Sequence, residues 1–210
     1  MNDYLKKTGE NLLLLGAGGC PPFLGIDRGK HPFFGNLNCF QRTDSLYQFV
    51  LNDGNIKTVF ISFAHGEILR DDVEFLDKWN ELKSKDNYDN LVKAFIRTVQ
   101  MFEKHNKQVV LIYDMPEFNL DVKSCAFKRP LFSNSNESKC NFADVSMVND
   151  FHDYDKMIAK IKKTTNMKIF YTHQYIRGNF PIDENLNLTY RDSTHLSYLG
   201  SMFFSDKYSF

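Results

Sequence analysis

The sequence has no run of about 18 consecutive apolar residues, so no transmembrane helix is expected within it. It has no excess charge of either sign, with 26 Lys+Arg against 26 Asp+Glu. That balance excludes a strongly basic nucleic-acid footprint and a polybasic membrane patch. No secretory signal is expected within it, since Met1 to Glu10 is polar and the apolar stretch Leu12–Leu15 is too short to serve as a signal core. No two cysteines stand at Cys-x-x-Cys spacing, which argues against zinc. His31, His105, His152 and His173 show no paired metal-ligand spacing, and Asp150, Asp153 and Asp155 lack the order of a calcium loop. Gly16-x-Gly18 stops short of the third glycine of a dinucleotide fingerprint. The expectation is a domain with no metal and no organic cofactor.

What is present is the composition of one folded domain spanning residues 1–210. Hydrophobic residues make up 42% and charged residues 25%, and 20 Phe and 10 Tyr point to an aromatic core. Four short apolar runs have the continuous character of strands buried on both faces: Leu12–Ala17, Thr58–Phe63, Val109–Tyr113 and Met167–Thr172. Helical patterns lie between and after them, over Ser45–Leu51, Leu91–Lys104, Val145–Lys163 and Leu196–Tyr208. Strands alternating with helices predict a three-layer α/β fold, a parallel sheet with helices on both faces. The chain reads as though a first strand were missing, because a strand begins almost at once. Ligands in such sheets sit at the carboxyl ends of the strands. The segments of interest are therefore Gly18-Gly19-Cys20-Pro21-Pro22, Ala64-His65-Gly66, Asp114-Met115-Pro116-Glu117 and the loop leading to Asp192.

Cys20 with Cys39, and Cys125 with Cys140, form two close pairs inside long irregular loops, about Pro21–Thr43 and Phe118–Asp144. Loops of that length call for covalent or packing restraint. Two local disulfides would each contribute roughly 3 kcal/mol. Four reduced thiols in a cytosolic protein are the other reading, and the residues alone leave both open.

The sharpest chemical signal is Tyr190-Arg191-Asp192-Ser193-Thr194-His195-Leu196-Ser197, followed by Gly200. An Asp three residues before a His brings its carboxylate to the imidazole Nδ1. The bond fixes the tautomer and leaves Nε2 to take a proton from a hydroxyl. Asp192 as a simple helix N-cap is the competing reading, since an apolar stripe opens at Leu196.

This block resembles the final block of SGNH hydrolase-type domains, and more narrowly of the SGNH domain fused to the membrane acyltransferase type 3 family. That family comprises O-acetyltransferases that modify lipopolysaccharide and other envelope glycans. Leu13–Pro22, a strand-like run ending in Gly-Cys-Pro-Pro, is similar to the family's second block. Val109–Glu117, with Cys125 soon after, resembles its internal strand ending in Pro-Glu, and Thr58–Phe63 occupies the place of its third block. The resemblance implies an SGNH/flavodoxin-like fold and a serine–histidine–aspartate acyl-transfer mechanism. Asp192 would be the orienting acid and His195 the general base, with Gly19 or the adjacent Gly18 giving a backbone amide to the oxyanion. A tight turn after a strand is the other reading of that glycine pair. The implied partners are a membrane acyltransferase domain, an acyl donor and an envelope glycan acceptor, with no nucleic acid. The implied location is the periplasm or the outer face of the membrane.

The departures from the family are specific. No Gly-Asp-Ser-His-like block supplies the nucleophile: Ser62 falls inside an expected strand, and Ser45 sits at an expected helix start, where capping explains it. The third block's asparagine is missing, with Ala64-His65-Gly66 in its place. His65 reads either as a replacement donor or as a structural histidine. The late cysteine pair is absent from Tyr175–Asn187. The expected function is thus a partial SGNH domain, the C-terminal part of a larger O-acyltransferase whose serine is not in this sequence. A non-catalytic remnant or carbohydrate-binding module is the alternative, and an unrelated cytosolic α/β protein is the third reading.

Overall fold

The computed structural model describes residues 9–29, 37–69, 74–79, 87–119, 146–147, 150–175 and 188–207. Its contacts divide the chain into two compact units. The larger comprises Leu13–Asp114 and Asp150–Phe170, and the smaller comprises Met1–Leu12, Met115–Asn149 and Tyr171–Phe210. The fold is α/β, a small open sheet system with parallel and antiparallel parts, flanked by helices.

In the larger unit, β1 (Ile26–Arg28) pairs antiparallel with β3 (Phe75–Asp77). A separate parallel sheet runs in the order β2 (Thr58–Ile61), β4 (Gln108–Ile112), β5 (Lys168–Phe170). Ile61 stands opposite Leu111, and Ile112 opposite Phe170. β4 is the middle strand, and its Val109, Val110 and Leu111 are all buried, which is why that run is apolar without alternation.

The helices of this unit are α1 (Cys39–Asn52), the single turn α2 (His65–Ile68), α3 (Asn87–Lys104) and α4 (His152–Lys162). α3 turns Leu91, Phe95, Val99 and Phe102 inward, the stripe legible in its sequence, and packs against β4 and α4. It ends where Asn106 adopts a left-handed φ of 56° and the Lys107 N–H donates back to the Phe102 carbonyl. The Lys107 side chain is buried, and its ammonium donates to the carbonyls of Asp53 at 2.7 Å and Ile56 at 2.9 Å. This fastens the turn between α1 and β2 to the start of β4.

Phe23 sits at the centre of the core, 4.6 Å from the Phe95 ring and 5.3 Å from the Phe63 ring. The neighbouring backbone is fixed by polar contacts. Leu24 N–H donates to Thr98 Oγ1 at 2.8 Å, and Arg97 donates to the Leu24 carbonyl at 2.5 Å and to Asp77 at 3.1 Å. The Arg97 guanidinium lies 4.5 Å over the Trp79 ring. Gly25 between them has φ of 76°, and a Cβ there would stand 2.5 Å from Arg97 Nη2 and 2.8 Å from Trp79 Cδ2. α1 starts at a left-handed Asn38 with no side-chain cap, and Cys39 at its first position is joined to Cys20 by a disulfide. Cys125 and Cys140 lie outside the described residues.

Four expectations need correction. Leu12–Ala17 forms no strand: among the described residues no strand pairs with it, and Leu14 is 86% exposed. An apolar run becomes a strand only when its backbone groups find partners. The stretch Pro21–Thr43 is not all loop, since it contains β1 and the start of α1. Ser45 therefore lies inside α1 and caps nothing at its start. The helix expected from Val145 begins only at His152, where Asp150 accepts the His152 N–H and Asp153 and Asp155 place negative charge in the first turn.

The smaller unit contains a 3₁₀ turn, Thr172–Tyr175, and α5, Tyr198–Lys207. Tyr190 is its anchor: fully buried, it donates its hydroxyl to the Pro116 carbonyl at 2.9 Å and meets Phe118 edge to face at 4.9 Å. Met115, Leu188 and Leu196 pack around that pair.

Candidate functional site

In the smaller unit, residues 189–197 close into a tight loop. Tyr190 bridges Leu196, Arg191 N–H donates to the His195 carbonyl, and Ser197 N–H donates to the Thr189 carbonyl. Ser197 then caps α5: its hydroxyl oxygen accepts the Gly200 N–H at 3.0 Å and donates to the Leu188 carbonyl at 2.6 Å. The cap of this helix is therefore Ser197, and Asp192 is free of that duty. Gly200 is required here, because a Cβ would collide with the Thr189 carbonyl oxygen.

Asp192 faces inward across its own loop. One of its oxygens accepts the N–H groups of Thr194 at 3.0 Å and His195 at 2.7 Å. His195 Nδ1 lies 2.9 Å and 3.0 Å from the two carboxylate oxygens. Burial pushes the Asp192 carboxyl up. The two backbone N–H groups and the His195 ring outweigh that effect and hold it well below the usual carboxylate range. An ionised carboxylate only accepts hydrogen bonds, so Nδ1 carries the proton and Nε2 is left with its lone pair. The Thr194 hydroxyl is within reach of both partners, 3.2 Å from Asp192 and 2.9 Å from Nδ1. The His195 side chain is 65% exposed, so Nε2 faces solvent as an available base.

Gly18 and Gly19 belong to the larger unit. They form the middle of a turn closed by Cys20 N–H donating to the Ala17 carbonyl at 3.1 Å, with Gly19 at φ of 75°. The Gly19 carbonyl accepts from Arg28 at 3.0 Å. An open cleft of about 340 Å³ lies beside this turn, lined by Gly16, Ala17, Gln41, Arg42, Ser45 and Leu46. Ser62 lies just beyond β2 and is exposed.

A second Asp–His pair escaped sequence reading as a pair. His65 and Asp114 follow the carboxyl ends of adjacent strands β2 and β4. One Asp114 oxygen accepts the His65 backbone N–H at 2.8 Å and meets Nδ1 at 2.6 Å. The ring is sandwiched, 4.4 Å from the Phe151 ring and 4.9 Å from the Tyr154 ring, and the residue is 3% exposed. Nearby, the Tyr113 hydroxyl donates to Asp155 at 2.7 Å. Burial, reinforced by the charge of Asp114, pushes the Tyr154 phenol up. Forty-nine residues separate His65 from Asp114, so only their positions after two strands hinted that they meet. Among the described residues, no three His, Cys, Asp or Glu side chains come together as a metal site. No described helix is long and apolar enough to cross a membrane.

Comparison with curated proteins finds no match. The chain is similar in structure to the periplasmic domain of a Salmonella ser. Paratyphi A lipopolysaccharide acetyltransferase. The TM-score is 0.62 at 13% sequence identity, over 98% of this chain and 74% of that one. At that identity the likeness is one of fold. A family model described as the SGNH domain fused to AT3 domains matches residues 1–209. The match runs through the Gly-Cys-Pro-Pro turn and the Asp192–His195 loop alike, and the chain belongs to this family of SGNH domains.

Proposed function

We propose that residues 1–210 form one SGNH domain of a cell-envelope O-acyltransferase, working on the periplasmic side of the membrane with an AT3 membrane domain as its partner. The observation that carries this reading is the Asp192–His195 geometry: an ionised carboxylate fixes Nδ1–H and presents Nε2 to solvent. His195 takes the proton from the attacking hydroxyl, and Asp192 stabilises the imidazolium that forms. The donor is an acyl compound, the acceptor is an envelope glycan such as lipopolysaccharide, and neither metal nor organic cofactor takes part. No Gly-Asp-Ser block lies within the 210 residues, so the serine of a full acyl-enzyme cycle is not among them.

The test is hydrolysis of 4-nitrophenyl acetate by the purified chain, beside His195→Ala and an equal concentration of free imidazole. General-base help from His195 predicts a rate at least about tenfold above imidazole, falling by about 10²-fold in the variant. A rate equal to imidazole and unchanged by the substitution overturns catalysis by this chain. It would leave a non-catalytic, carbohydrate-binding module, the reading that the missing serine block favours.

A further inference from the structure

The cleft beside the Gly18–Gly19 turn takes no part in the chemistry assigned to Asp192 and His195. It lies wholly within the larger unit and holds about 340 Å³. One wall is formed by Gly16 and Ala17, and the other is the face of α1 that carries Gln41, Arg42, Ser45 and Leu46. Residues spaced i, i+1, i+4 and i+5 fall on one side of a helix, which is why these four line the cleft together. The two walls are tied to each other. Cys20, whose N–H closes the turn onto the Ala17 carbonyl, is joined by its disulfide to Cys39 at the start of α1. The Tyr47 hydroxyl donates to the Pro22 carbonyl at 3.0 Å. The spacing of the walls is thus set by the fold before any ligand arrives. Gln41, Arg42 and Ser45 present an amide, a guanidinium and a hydroxyl, and none of the three makes a side-chain hydrogen bond or ion pair among the described residues. A guanidinium grips a carboxylate or phosphate through paired N–H groups. An amide and a hydroxyl both donate and accept, as sugar hydroxyls do. Leu46 adds an apolar surface for C–H groups. On the opposite wall a Cβ at Gly16 would meet no atom within 4 Å, so that side is open.

We propose that this cleft binds an anionic sugar, with Arg42 on its phosphate or carboxylate and Gln41 and Ser45 on its hydroxyls. The anion follows from Arg42, while the sugar rests also on the glycan acceptor proposed above. Backbone-amide nuclear magnetic resonance of the full chain reads the cleft directly. The probes are glucose 6-phosphate, glucuronate, inorganic phosphate and glucose. At least one of the two anionic sugars is expected to shift the Gly16, Arg42 and Ser45 amides saturably, about tenfold more tightly than glucose or inorganic phosphate. The stronger of the two separates a phosphorylated sugar from a uronate. Arg42→Gln is expected to weaken that binding about tenfold, through loss of a charge-assisted contact. Gly16→Leu, which places a side chain on the opposite wall, is expected to weaken it as well. Both residues are exposed, so neither substitution disturbs the core. No saturable shift, glucose or inorganic phosphate binding as tightly as the anionic sugars, or binding unchanged in either variant overturns the site. Ester hydrolysis keeps the two proposals apart. Hydrolysis intact with no anionic-sugar binding sinks the cleft alone, and binding without hydrolysis sinks only the catalytic role of His195.

Discussion

Among the described residues an Asp–His contact is built twice, by opposite means. Asp192 and His195 are three residues apart, and the loop that joins them makes their contact almost unavoidable. The pair is open to solvent, with His195 held by its own neighbours in sequence. His65 and Asp114 meet only because β2 and β4 lie side by side, and their contact is enclosed by aromatic rings. The distances are close, 2.9 Å against 2.6 Å, so the bond itself does not separate the two. The surroundings do. Exposure leaves the His195 ring open to solvent. Enclosure fixes the plane of the His65 ring between its aromatic neighbours.

The comparison fails first, if it fails, in the energetics. Asp114→Ala removes two charge-assisted bonds, one from the His65 backbone N–H and one from its buried ring, and is expected to lower stability by about 3 kcal/mol. Asp192→Ala removes an exposed pair, for which about 1 kcal/mol or less is expected. Urea unfolding of both variants decides, and equal losses would abolish the distinction. Gly25→Ala stresses the core of the larger unit away from either pair. A left-handed backbone and a clash with Arg97 together predict a loss of about 2 kcal/mol, read in the same experiment. Reduction of the Cys20–Cys39 bridge is expected to cost roughly 3 kcal/mol at most, visible as a lower thermal midpoint with reductant.

The smallest effect is the pH dependence. The Asp192 carboxyl is depressed in the folded chain, so it binds a proton more readily when unfolded. Its contribution is present above the ordinary carboxylate value of about 4 and is lost as pH falls towards the depressed native value. Asp192→Asn should therefore flatten the acid limb of stability against pH, while leaving its slope above neutrality unchanged. An acid limb identical to that of the parent chain would show that the carboxyl is not depressed.

Sequence reading reached what is local. The α3 stripe, the middle strand and the Asp192–His195 spacing all depend on residues within a few positions of one another, and the structure holds them where the pattern put them. It missed what depends on distant partners. The run Leu12–Ala17 has the composition of a strand but no ladder to join. The antiparallel pair β1–β3 is only three residues long in each strand, too short for a period to register. His65 and Asp114 each lie where ligands gather, but nothing in either segment states that one faces the other. The helix cap at Ser197 was concealed for another reason: Asp192 offered an equally good capping side chain one turn too early.

The enclosure of Lys107 has a practical consequence if the chain works in acyl transfer, as proposed above. Lysine amines are the side chains most readily acylated by accident when an activated acyl compound is nearby. Lys107 is shielded, because its side chain is buried and its ammonium is held by two carbonyls of the turn that follows α1. Its labelling by acetic anhydride should lag behind that of exposed Lys93 and Lys156, and the lag measures how seldom the segment joining α1 to β2 comes undone.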